Sequence, residues 1–202
     1  QRPAGDPGAS PFELIGLGAV YTQGNVGVGT SAPAALLHVA GASRFDGAIT
    51  IAQTQRTLTI AAPEFAGNTA SPTELAGGAI PGLQRPASGA RAIAWAPVNL
   101  PDGAVVTSVA AAFFDNSAAD AVVRLYRTEF IDPGSSDGVL AQFTSAGTTG
   151  FQTQSDAMID FATINNATHV YHLYVDLPTE PAADVLVLYS VKITYTVTTP
   201  LP

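Results

Sequence analysis

Between Val185 and Val197 the chain reads VLVLYSVKITYTV, an alternation that restricts the fold more than any other feature of the sequence. Val185, Val187, Tyr189, Val191, Ile193, Tyr195 and Val197 fall on one side of an extended chain, with Ser190, Lys192, Thr194 and Thr196 on the other. Successive side chains of a strand point to opposite faces, so this spacing describes a strand with one face buried and one wet. Runs of the same kind occur at 104–114, 121–128 and 169–177, separated by turn chemistry at Leu100-Pro101-Asp102-Gly103, Asp115-Asn116-Ser117 and Asp132-Pro133-Gly134. No segment keeps helical spacing for more than a turn or two. Strands at near-regular intervals with such turns predict an all-β fold, with an antiparallel, jelly-roll-like β-sandwich head over residues 91–199.

The N-terminal part is organised differently. Residues 1–11 hold three prolines and two glycines and read as an extended arm. Residues 12–62 break into strand-length apolar pieces punctuated by glycine, and residues 63–90 are Pro/Gly-rich with little periodicity, the pattern of a linker. Within 12–62 the run Gly24-Asn25-Val26-Gly27-Val28-Gly29-Thr30 places glycine repeatedly on one side of a strand, which lets another backbone approach closely. Close approach of that kind suits an intertwined β stalk or collar.

The segment QGNVGVGTSAPAALLHVAGASRFDGAITI resembles the NVGIGT-x-x-P-x-x-x-LHV-x-G motif of bacteriophage tail fibres and bacterial surface fibres. Asn25, Gly27, Gly29, Thr30, Pro33, Leu37, His38, Val39 and Gly41 match it, and Val28 stands where isoleucine is commoner. The resemblance covers roughly residues 21–51 and implies an intertwined trimeric stalk carrying a C-terminal receptor-binding tip. Many members of that family end in a self-cleaving chaperone, whereas this sequence closes on the strand ITYTV and TTPLP. Either the chaperone has been removed or this member has none.

Composition excludes several functions. Charged residues make up 12% of the chain and the net charge is −8, with one lysine, Lys192, and seven scattered arginines. Nucleic-acid backbones require clustered basic residues, so no nucleic-acid partner is expected. No apolar run reaches the 18 or so residues that span a bilayer as a helix, and no membrane insertion is expected. With no cysteine there is no disulfide, thiolate metal site or cysteine nucleophile. A first residue of Gln1 suits a mature product that has lost a signal peptide, and equally a trimmed chain, while the fibre resemblance implies an extracellular, cell-surface or virion location.

Motifs that suggest catalysis fail on context. Gly27-Val28-Gly29-Thr30-Ser31-Ala32 satisfies the dinucleotide fingerprint, but Pro33 to Gly41 leaves no room for the helix whose N-terminus would hold the pyrophosphate. Gly134-Ser135-Ser136-Asp137-Gly138 fits G-x-S-x-G, with Asp156 or Asp160 and His169 or His172 following. It lacks the buried strand before the serine and the helix after it. His169 and His172 point to opposite faces of one strand and share no metal. Asp132 to Asp137 could hold an incidental calcium through its oxygens, and no cofactor is expected.

Among Trp95, Tyr126, Tyr171, Tyr174, Tyr189 and Tyr195, parity assigns Tyr189 and Tyr195 to the core. Tyr126 and Tyr174 share faces with Arg124 and His172, and are the binding candidates. The expected function is therefore a non-enzymatic extracellular fibre or appendage protein, a homo-oligomer and in particular a trimer, engaging a surface glycan or protein receptor. A repeating subunit of a filament or virion surface, and a monomeric carbohydrate-binding module, are the alternatives.

Overall fold

A computed structural model describes residues 24–44, 46–47, 49, 52–67, 70–76, 81–131, 138–146, 149–179, 181 and 185–197. The arm 1–11 and stalk residues 12–23 lie outside the described residues. The chain divides into two units, Gln1–Ala48 and Ile49–Pro202.

In the first unit β1 (Val26–Val28) and β2 (Leu37–Val39) pair in parallel, with Val26 opposite Leu37 and Val28 opposite Val39. Parallel strands ordinarily need a crossover of a dozen or more residues. Here a shorter loop suffices because side chains stitch it. The Ala32 N–H donates to Thr30 Oγ1 at 3.2 Å, the Ala34 N–H to His38 Nδ1 at 3.2 Å, and Asn25 Nδ2 to the Pro33 carbonyl at 3.2 Å. Gly29 has φ +74°, and a Cβ there would stand 2.9 Å from the Ala40 carbonyl oxygen. At Gly27 a Cβ would run into the Thr30 carbonyl. The close approach that these glycines permit is thus made, within this chain, by Thr30 in the loop and by Ala40 after β2. Instead of a helix, the fingerprint at 27–32 leads through this loop into β2.

The second unit is a sandwich of two antiparallel sheets. One has the order β10-β9-β12-β7-β4, formed by Gly138–Thr144, Val122–Glu129, His169–Leu177, Ala92–Val98 and Ala66–Gly67. The other runs β11-β8-β13-β6-β5, formed by Gly150–Asp156, Val105–Asn116, Val185–Val197, Gly82–Gln84 and Glu74–Ala76. β3 (Thr54–Ala61) also lies along β13, pairing from Thr54–Val197 to Ala61–Ser190. Inward residues of both sheets form one core, including Val123, Leu125, Leu173 and Val175 from the first and Val109, Phe113, Leu188 and Ile193 from the second. Each such side chain contributes about 1.5–3 kcal/mol when fully buried.

Two expectations change. Residues 54–61, assigned to the stalk, belong to the sandwich, because the long β13 offers them a free edge. Residues 63–90, read as a linker, supply β4, β5 and β6 to the sheets, while Phe65 and Leu83 enter the core. These strands are only two or three residues long, too short to show alternation.

Tyr189 is a third correction. The pairing of β13 with β8 shifts between Leu188 and Ser190, and this bulge reverses parity. Leu186 and Leu188 face the core before it, and Val191, Ile193, Tyr195 and Val197 after it. Tyr189 instead lies on the outside, stacked on Phe151 with ring centroids 5.8 Å apart, and Phe151 in turn meets Phe114 edge-on at 5.0 Å. Tyr195 is in the core as expected.

Candidate functional site

Strand register brings together residues far apart in sequence. In β12, Tyr171, Leu173, Val175 and Leu177 are buried in the core, so the residues between them, His172, Tyr174 and Asp176, stand on the outer face. Tyr174 pairs with Trp95 of β7 on one side and Arg124 of β9 on the other, and Arg124 pairs with Gln142 of β10. One row therefore reads Trp95, Tyr174, Arg124, Gln142 across four strands, about 14 Å at ordinary strand spacing. The neighbouring row pairs Pro97, His172 and Tyr126.

The rings form one continuous cluster. Trp95 meets Tyr174 edge-on at 4.6 Å and His172 at 5.1 Å, while Tyr126 stacks on His172 at 5.5 Å and meets Tyr174 edge-on at 6.0 Å. Tyr174 is 8% exposed and Trp95 is 40% exposed. Tyr174 is thus a support at the centre of the cluster, and Trp95 is the ring open to a ligand. Such pairs contribute about 0.5–1.5 kcal/mol beyond their buried area, which holds the rings in place.

Polar groups edge the cluster. Arg91 donates from Nε to Asp176 Oδ1 at 2.8 Å and from Nη2 to Oδ2 at 2.5 Å. The Tyr174 hydroxyl donates to Asp176 Oδ2 at 3.3 Å and accepts from Arg91 Nη2 at 3.4 Å. The Arg91 hydrogen bond holds the Asp176 carboxyl below its usual range, against the opposing effect of burial. Burial, with the Asp176 charge, raises the Tyr174 phenol. Arg124 donates from Nε to Gln142 Oε1 at 2.5 Å, and its guanidinium carbon lies 5.5 Å from the Tyr174 ring centre.

Of the binding candidates read from sequence, Tyr126 and Tyr174 meet in this cluster. His172, placed on a shared face with the tyrosines by parity, joins it, as does Trp95, which parity did not single out. Tyr171 is buried, its hydroxyl accepting from the Asn165 N–H at 2.8 Å. Among the described residues, the Asp and His of the catalytic-looking set have other partners. Asp156 accepts backbone N–H bonds from Met158 and Gln142, His169 bonds Thr168 Oγ1, and His172 sits among the rings. Residues 132–137, which carry the G-x-S-x-G serine and the candidate calcium loop, lie outside the described residues. Among the described residues no group of three potential metal ligands occurs.

No family model and no curated protein matches the chain. Among solved structures, the CBM36-1 domain of a multidomain xylanase from the hindgut metagenome of Trinervitermes trinervoides superposes with a TM-score of 0.45 at 11% identity, covering 68% of this chain and 96% of that one. The C-terminal CBM6 of LamC from Zobellia galactanivorans gives 0.43 at 17% identity, over 69% and 99%. A carbohydrate-binding module CBM36 in complex with calcium and xylotriose gives 0.43 at 12%, over 67% and 98%. Likeness of this degree assigns neither a ligand nor an activity to the present chain.

His172 makes the cluster sensitive to acid. Burial lowers its pKa below the ordinary histidine value, so the folded protein holds the ring neutral. An unfolded chain takes up the proton near pH 6.5, before the folded one does, so stability falls as pH drops from that value through the folded pKa. Thermal melts between pH 7.5 and 5 should show a declining melting temperature in the wild type and a flatter profile in His172→Phe, which keeps a ring but cannot titrate. Parallel profiles would show that His172 does not couple to folding.

Proposed function

We propose that the β-sandwich is a non-catalytic carbohydrate-binding head that receives a sugar chain on the outer face of β7, β12 and β9. The observation that carries this reading is the half-exposed Trp95, held in register with Tyr174 and braced by His172. A flat ring with its position fixed beforehand offers an apolar surface to the C–H face of a sugar at small entropic cost. Arg124, Gln142, Asp176 and Arg91 supply donors and acceptors for hydroxyl groups at its edges. Trp95 stands 40% exposed on this face. Cavities of about 230 and 180 Å³ occur elsewhere, lined by residues such as Arg85 and Leu186 or Ala111 and Lys192. An open surface suits a polymer passing over it better than a small molecule needing enclosure.

Glycan-array screening followed by calorimetry on the strongest ligand tests the reading. Trp95→Ala should weaken binding at least tenfold, about 1.4 kcal/mol. Phe151→Ala, on the opposite sheet, should leave it unchanged. Array silence, or equal affinities for wild type and Trp95→Ala, would refute the site.

A second observation favours assembly. In the motif unit Val28, Leu36 and Leu37 are 52%, 81% and 60% exposed. A pair of three-residue strands that leaves such side chains in water lacks the burial needed for independent stability. We infer that copies of this unit cover one another, in keeping with the fibre resemblance, and that the heads act together outside the cell by avidity. Light scattering coupled to size exclusion should give three times the 20.6 kDa chain mass for a closed trimer. Very large, heterogeneous species would indicate a filament subunit instead, and a single-chain mass would exclude self-assembly.

A further inference from the structure

We propose that Arg124 makes this platform selective for acidic sugars, those carrying a uronate carboxylate or a sulfate ester. The inference rests on the carbohydrate-binding reading above and adds the class of ligand. It begins from the distribution of charge. The chain carries a net charge of −8 and only eight lysines and arginines, yet two of these, Arg91 and Arg124, flank one aromatic cluster. The carboxylate at that face, Asp176, is engaged by Arg91 through two hydrogen bonds. Burial keeps His172 neutral there.

Arg124 is placed differently from Arg91. Among the described residues the ion pairs are Arg44–Asp46 and Arg91–Asp176, and Arg124 takes part in neither. Its Nε–H is committed to Gln142 Oε1, and its plane is steadied by the Tyr174 ring. Its two Nη atoms carry four further N–H groups, and one from each forms the end-on pair of the fork, directed away from the side chain's own stem. A guanidinium held in this way has already lost much of the side-chain freedom that binding would otherwise cost, and its paired N–H groups match two oxygens of a carboxylate or sulfate. The row order also sets the ligand's layout. Trp95, Tyr174 and Arg124 are successive neighbours, so the anionic group recognised by Arg124 lies about 10 Å from the indole, two strand spacings away. The charge therefore stands beside the sugar stacked on Trp95, not over the ring itself.

Calorimetry on the full chain with three probes tests this: a neutral galactan oligosaccharide, an oligogalacturonate and a sulfated galactan oligosaccharide of equal length. At low salt one or both acidic probes should bind at least tenfold tighter than the neutral one, with the advantage shrinking as salt is raised. Arg124→Gln should abolish that advantage, weakening acidic binding at least tenfold more than neutral binding, and Arg124→Lys, which keeps the charge but not the fork, should restore only part of it. The sulfated and carboxylated arms identify which anion is read. Equal or tighter binding of the neutral probe, or an acidic preference that survives Arg124→Gln, would overturn the role of Arg124 and leave the platform reading intact. If none of the three probes binds and array screening is also silent, the platform reading falls, and this inference with it.

Discussion

The hydrogen-bond ladder joining β7, β12 and β9 is the constraint on which both the core and the aromatic outer face depend. Because strand side chains alternate, the register that buries Leu173 and Val175 against the second sheet also sends His172, Tyr174 and Asp176 outward. Pairing then selects Trp95 from one neighbour and Arg124 and Tyr126 from the other. A slip of one residue would place Tyr174 in the core and Leu173 in water, so the hydrophobic demand of the core fixes the position of the platform. The face needs no loop to position its rings. Its rigidity is that of the sheet.

The second sheet is organised by β13. This strand of 13 residues pairs with β8 along one edge and with β6 and then β3 along the other. It ties residues 54–61 and 82–84 to the rest, and explains why a segment that reads as stalk and linker is integral to the sandwich. The motif unit follows another logic. Its order comes from side-chain hydrogen bonds by Asn25, Thr30 and His38 and from the backbone freedom of Gly29, with little burial behind them. Local stitching of that kind can specify a shape without making it stable alone, which is why its apolar residues bear on assembly.

The long strands were legible because their hydrophobic residues alternate over many positions. Residues 169–177 and 185–197 match β12 and β13, and 104–114 and 121–128 lie within a few residues of β8 and β9. Parity also placed Tyr126 and Tyr174 on shared faces with Arg124 and His172. It failed at Tyr189, where one extra residue in β13 turns the ring outward, since a bulge leaves no mark in the hydrophobic pattern. Trp95 was harder to assign for a different reason. The inward residues of β7 include Ala92, Ala94 and Ala96, whose small side chains give the alternation little contrast, and the value of an outward tryptophan depends on which strand lies beside it. Short strands such as β4 and β6 are set by the edges offered to them and cannot be read from their own residues.

Trp95 is the chain's single tryptophan, so its emission reports on the platform alone. The most direct test of the central claim is to follow that emission while a glycan that binds the protein is titrated in. A saturable change in intensity or wavelength, giving the same dissociation constant as calorimetry, is expected if the sugar stacks on the outer face of β7, β12 and β9. Binding seen by calorimetry with emission unchanged through saturation would place the glycan elsewhere on the molecule and contradict the assignment.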